Sequence, residues 1–369
     1  MLTDTTAAPA HPSADHEAPA AVVRAADRAY RLSMRALLVA LALLVIAGLV
    51  SATRGAAALP VSGVVSTLLD ALPGVRVDSD LTTSQEAILW SIRLPRTALS
   101  MLVGAALGMA GAAYQGVFRN PLADPYLLGV SAGAGLGAVL ALGFDLDLSF
   151  GSFSAVPAAA FAGALLAVSG SALIARGSFA SAATLLLSGV AMAALFSAAQ
   201  TYALQQLDET RAREALSWLF GQLTTHGWDQ VLLLLPYVGL SGVVLLAYAR
   251  HLDVLRLGDD EARALGLKPA RTRLIVIIAA TLMTAAAVSV SGLIAFVGLV
   301  VPHVVRMLTS HSYRVILPLS GVLGGAFLAS VDVGARTLVA PAELPVGVIT
   351  AFVGAPFFAF VLWRRGAPR

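Results

Sequence analysis

The side chains that could do chemistry are few, and nearly all lie outside the apolar runs of this 369-residue chain. A proton relay would need ionisable groups inside those runs. The acids instead lie between them, with Asp332 the nearest exception at the end of one. The runs hold no paired acids, no His-Glu-x-x-His and no nucleophile–base arrangement. Lys268 is the only lysine and Pro269 follows it, so the chain lacks the Gly-rich loop ending in Lys-Ser/Thr that cradles a nucleotide. His303 follows Pro302 and has no second ligand at metal-site spacing. Its imidazole is expected to satisfy backbone carbonyls that the proline frees. Gln115, Asn120, Gln200 and Gln205 can line a polar path or bond between helices, and bonding between helices is the expected role.

Three polar segments remain, and their chemistry is positional. The first is Arg119-Asn120-Pro121-Leu122-Ala123-Asp124-Pro125, a tight turn between two apolar runs. Asp124 is expected to cap the following helix and Pro125 to take its first position, where no N–H is needed. The second is Leu257–Leu267, where Asp259, Asp260 and Glu261 would fill a first helical turn with Asp259 as cap. Gly266 would end that helix in a left-handed conformation, and Ala262 and Leu265 would share a face. Two turns are too short to span a membrane, so the segment is either a solvated connector or a docking element. The third is Arg93-Leu94-Pro95-Arg96, with Pro95 expected at the start of a helix. Arginines there oppose the helix dipole. With Arg336 they either snorkel at the interface or offer bidentate partners to the carboxylates of another protein.

These segments must be held by membrane helices. The chain is 58% hydrophobic and 12% charged, with mean hydropathy +0.84, whereas soluble domains carry about 25% charged residues. An all-α polytopic membrane protein follows. Cysteine is absent, so thiol chemistry is excluded and cysteine usage says nothing of compartment. Residues 1–34, rich in Ala, Pro, Asp and His, read as a disordered tail that does not fit a signal peptide. The membrane domain is expected over 35–369.

Runs near the ~20 residues a span requires fall at roughly 35–52, 95–117, 126–143, 155–176, 184–204, 230–250, 272–296, 298–309, 314–332 and 345–363. The run at 298–309 is short, and Gly298 and Pro302 mark it as broken. Ten spans place seventeen of the 24 Lys and Arg on the side of both chain ends. The positive-inside rule then makes both ends cytoplasmic. Small residues at Gly104/Gly108, Gly129/Gly133/Gly137 and Gly321/Gly325 sit at helix-packing spacing.

The block Tyr114 to Ser131 resembles the permease subunits of FecCD-type ABC importers for iron–siderophores, haem and cobalamin. Ser291 to Arg306, with its Gly-Leu-Val-Val-Pro-His core, is similar to another block of that family. Glu343-Leu344-Pro345-Val346-Gly347 and Gly354-Ala355-Pro356 are similar to its closing helix. Leu293 stands before the Ile with the usual spacing, and the N-terminal tail has no counterpart. The resemblance implies a type II importer permease, a transport subunit rather than an enzyme, in a bacterial cytoplasmic (inner) membrane. It implies a homodimer around a central pathway, two cytoplasmic ABC ATPase subunits that bind the ATP and Mg, and an extracytoplasmic substrate-binding protein. This chain would hold no cofactor and bind no nucleic acid. Gly258, Asp259, Glu261, Ala262, Arg263, Leu265 and Gly266 would form the ATPase-coupling helix, about 258–267. Arg93, Arg96 and Arg336 would dock the binding protein. Arg119, Asn120, Pro121, Asp124 and Pro125 would form a cytoplasmic turn, with Ser181 and Thr184 near a gate. Spans five and ten would line the pathway. An iron chelate, siderophore or haem, is the expected cargo, and cobalamin is the alternative. A proton-coupled transporter without an ATPase is the rival class.

Overall fold

The structure, a computed structural model, describes residues 32–55, 58–144, 155–175, 182–225 and 227–366. Most of the expected N-terminal tail, and Ser181 with the segment before it, lie outside these residues. The helices are α1 (Met34–Thr53), α2 (Val61–Asp70), α3 (Thr83–Ile88), α4 (Leu94–Val117), α5 (Val130–Gly143), α6 (Ala155–Ile174), α7 (Ala182–Gln205) and α8 (Glu209–Leu219). They continue with α9 (Asp229–Ala247), α10 (Ala249–Leu255), α11 (Asp259–Ala264), α12 (Pro269–Ser291), α13 (Val297–Leu308), α14 (Tyr313–Thr337) and α15 (Val346–Gly366). Among the described residues, seven helical runs are long and apolar enough to cross a membrane, and α2, α5, α13 and α15 are shorter apolar helices. The seven runs with α5, α13 and α15 fall on the ten expected apolar runs.

Packing fixes the alternation. The end of α1 meets the start of α4 and the end of α14 through Ser51, Thr97 and Arg336. The end of α4 meets α11, the start of α12 and the end of α13. We call this second side the basic face and the first the opposite face. The centre of the bundle is α4, α12 and α14, each with 72–78% of its most apolar window buried. On α1, α6, α7 and α9 the share is 22–33%, so these helices form the periphery.

Two spans differ from expectation. The third does not begin at residue 126. Pro125–Leu128 is a 3-10 turn and Gly129 is left-handed at φ 85°, a conformation that costs glycine least. Only then does α5 begin, with fourteen residues. Asp124 therefore caps the turn and not the span, accepting from Tyr126 N–H at 2.8 Å. The second span does not open at Arg93-Leu94-Pro95-Arg96. The helical run starts ten residues earlier at a capping box, in which Thr82 and Gln85 exchange bonds of 3.0 and 3.3 Å. A π-helical turn, Leu89–Arg93, joins α3 to α4, and Leu94 N–H donates to the Leu89 carbonyl. Pro95 has no N–H to give to an earlier carbonyl, and the widened turn accommodates that deficit.

Small residues bring the central helices into contact. A Cβ on Gly104 would lie 2.2 Å from the Gly324 carbonyl oxygen, and one on Gly108 2.3 Å from that of Ser320. This joins α4 to α14. Gly111 meets Gly298 in the same way at 2.0 Å, joining α4 to α13. Gly133 and Gly137 meet Gly163 and Ala159 of α6. Backbones this close gain dispersion contacts that lipid cannot supply. Gln115 bonds between helices as expected: its Nε2 donates to the Gly298 carbonyl at 3.1 Å and its Oε1 accepts from Arg306. Tyr114 Oη and Thr281 Oγ1, 2.7 Å apart, link α4 to α12. His303 is buried, with its ring edge-on to Phe357 and Phe358 at 6.0 and 5.9 Å, and so holds α13 against α15.

Candidate functional site

The basic face brings two of the expected segments together. Asp259 was expected to cap α11 but stands at its first position. Gly258, at φ 132°, takes the cap position, with no side-chain cap bond. The Asp259 carboxylate is occupied elsewhere. Its Oδ1 accepts from Arg273, a fully buried side chain in the first turns of α12, and lies 3.4 Å from Nη2 of Arg119, in the turn after α4. The hydrogen bond from Arg273, followed by the charges of Arg273, Arg119 and Arg263, holds the Asp259 carboxyl below the usual carboxylate range. At the other end Gly266 is left-handed as expected, at φ 80°. Leu267 N–H donates to Ala262 O and Gly266 N–H to Arg263 O, both at 2.9 Å, the pattern that closes a helix with a Schellman motif.

Ala262 and Leu265 do not share a face. Ala262 is fully buried beneath α11, while Leu265 is 65% exposed. Helix α11 ends at Ala264, which moves Leu265 into the turn. Glu261 and Arg263 are exposed on α11, and Arg263 pairs with Asp260 at 2.5 Å. The face turned outward thus combines Leu265, Leu257 and charged groups around a buried Ala262. In the neighbouring turn Asn120 and Arg119 are exposed, and Asn120 Oδ1 accepts from Leu122 N–H at 2.9 Å. Thr184 lies exposed on the first turn of α7.

At the opposite face the three expected docking arginines form one network. Arg96 donates through Nε and Nη2 to Asp332 Oδ1 at 3.0 and 2.9 Å, and through Nη1 and Nη2 to the two oxygens of Glu343 at 3.2 and 2.9 Å. Arg336 bonds Asp332 at 3.0 Å, the Arg54 carbonyl at 2.7 Å and Ser51 Oγ at 3.0 Å. Arg93 also donates to the Arg54 carbonyl at 2.7 Å. Arg93 and Arg336 are buried, and Asp332 is fully so. The side chains of Arg96 and Glu343 are 13% and 51% exposed. The network fastens α1, α4, α14 and the link to α15. Sequence reading missed Glu343, Asp253, Arg273 and the Arg54 carbonyl as partners. None of these links has a local spacing to signal it; within the network only the i,i+4 pair Asp332 and Arg336 does.

An all-helical bundle of ten apolar crossings, with a short charged helix on one face and an arginine network on the other, defines a membrane permease. The chain belongs to the FecCD transport family, whose profile matches residues 43–364. It is 36% identical over 293 residues to the hemin transport system permease protein HmuU of Yersinia pestis, covering 78% of this chain and 87% of that one. It is 40% identical over 280 residues to the cobalamin import system permease protein BtuC of Halobacterium salinarum, covering 76% and 74%. A solved structure, described as an inward-facing conformation of a metal-chelate type ABC transporter, superposes with TM-score 0.78 at 30% identity, covering 90% of this chain and all of that one. The chain is thus an importer permease of the ABC type, and its fold is that of this family.

Proposed function

We propose that this chain is the translocation subunit of a binding-protein-dependent ABC importer for an iron chelate, a ferric siderophore or haem, and that it works as a homodimer. The carrying observation is the pairing of the family match with a short exposed helix, α11, locked to the bundle by Asp259. That helix and the turn after it present Leu265 and a charged rim, which suits a cleft in a cytoplasmic ATPase. The acidic binding protein docks on the opposite face, where Arg96 is the best exposed of the three arginines. Both chain ends are cytoplasmic, in line with the charge count. The second copy covers α7 and α15, whose exposed Leu187, Leu195, Phe352 and Trp363 lie on sparsely packed helices. Cobalamin is the second reading, because relatives of comparable identity are named for cobalamin and for hemin.

Reconstituting the chain with its ATPase and binding protein in liposomes tests the reading. Uptake of ferric chelate or haem that requires ATP supports it. Uptake of a corrinoid alone selects the second reading, and uptake without ATP refutes both.

A further inference from the structure

The chain around α11 is fixed to the bundle at two carboxylates, one on each side of the Gly258 pivot. On the upstream side, Asp253 of α10 accepts from Ser312 Oγ–H at 2.6 Å and from Tyr313 N–H at 2.7 Å. It also lies 3.6 Å from Arg314. A carboxylate from another element thus caps the N-terminus of α14, where the dipole favours negative charge. Arg256, between the two, donates to the His311 carbonyl at 2.5 Å. On the downstream side, Asp259 holds Arg273 of α12 and Arg119 after α4. These charged ties run to α4, α12 and α14.

The three receiving helices are themselves bound together. Gly104 and Gly108 seat α4 on α14, and Tyr114 with Thr281 ties α4 to α12. A displacement of α11 is therefore delivered to a preformed block. Between α11 and the start of α12 lies a cleft of ≈ 250 Å³ lined by Asp259, Arg263, Lys268 and Arg273, which leaves α11 room to tilt while Asp259 keeps hold.

We infer that the Asp259 carboxylate, with Arg119 and Arg273 as its two receiving groups, is the joint that converts movement of α11 into rigid-body movement of the α4–α12–α14 block. Asp253 is the second rivet. Asp259, Arg119 and Arg273 are positioning residues in this scheme and touch no cargo. The inference rests on the reading of α11 as the element that meets the ATPase.

The test uses the reconstituted complex and reads cargo moved per ATP hydrolysed, alongside ATPase retention and thermal midpoint. Arg119→Gln removes one ion pair, 3.4 Å long, from a side chain that is 40% exposed, so folding is spared. The expected result is retained ATPase, ongoing hydrolysis and a fall of about two- to fivefold in cargo per ATP, the scale of losing one part-exposed ion pair. Arg119→Lys, which keeps the charge, restores the ratio. Arg119→Gln combined with Asp259→Asn is no worse than Asp259→Asn alone, because both act through one joint. An unchanged ratio in Arg119→Gln, or additive effects in the double variant, overturns the joint. If the unaltered chain holds no ATPase at all, the reading of α11 fails instead, and that result is visible before any variant is made.

Discussion

Arg96 shows why residue type alone was an incomplete guide. Its planar fork fits the bidentate recognition expected of a docking arginine, but the fork is filled by Glu343 of the same chain. An incoming carboxylate must displace Glu343, which is half exposed and held at the rim, where an ion pair contributes about 0–1 kcal/mol. Glu343→Gln should therefore tighten association with the binding protein, measured as a lower Kd, and unchanged or weaker association would remove Arg96 from the docking surface. Reversal of Arg336 tests less cleanly: a carboxylate there would face buried Asp332, and breaking such a buried pair costs about 3–5 kcal/mol of fold stability. At the basic face, Leu265→Asp should weaken ATPase retention by about tenfold or more, as expected for an exposed apolar anchor. Co-purification at unchanged stoichiometry would contradict this.

The lowered pKa of Asp259 has a pH dependence of defined sign. A carboxyl depressed by Arg273 stabilises the folded state above its unfolded value near 3.9, and the contribution is lost as pH falls through the lowered value. ATPase retention should then be flat from about pH 5 to about pH 9 as far as this group is concerned. A titration of retention near neutrality that Asp259→Asn abolishes would contradict it. The residue types at both faces were legible in the sequence, whereas their partners were not. Arg273 and Asp253 reach across different helices, and no local spacing records such pairs.

At the scale of the element, apolar run length revealed the crossings, but α13 runs unbroken through Gly298 and Pro302, and the expected break lies instead before it, at residues 292–296. The errors came where the backbone changes type inside a run. Gly129 turns left-handed between the 3-10 turn and α5, and the π turn before Pro95 moves the helix start back to Thr82. Thr82 and Gln85 carried a capping-box signature that the apolar scan passed over. Small-residue stripes were read as packing, and their partners supply a test. Gly111→Ala places a Cβ 2.0 Å from the Gly298 carbonyl oxygen, whereas Gly239→Ala, in α9, meets nothing within 4 Å. The first should destabilise by about 1–3 kcal/mol through overpacking. The second should be neutral or stabilising by up to about 1 kcal/mol, since alanine favours helix over glycine. Equal thermal midpoints for the two variants would deny that α4 and α13 are in backbone contact.

At the scale of the molecule, the described protomer divides into a dense block, α4, α12 and α14, and peripheral helices with exposed apolar faces. The ion pairs among the described residues that link different helices cluster at the two faces, and the proposed function assigns the energy source to another chain. Composition and three motif blocks made the class readable. The partner copy, the ATPase and the cargo are properties of surfaces whose complements lie in other molecules, and one chain does not encode them. The most direct measurement is purification of the tagged full chain from native membranes in mild detergent, with mass spectrometry of the intact complex. The account predicts two copies of this chain with two P-loop ATPase chains. Repeated recovery of the chain alone, with uptake that survives ATP depletion and collapses with the proton gradient, would contradict it.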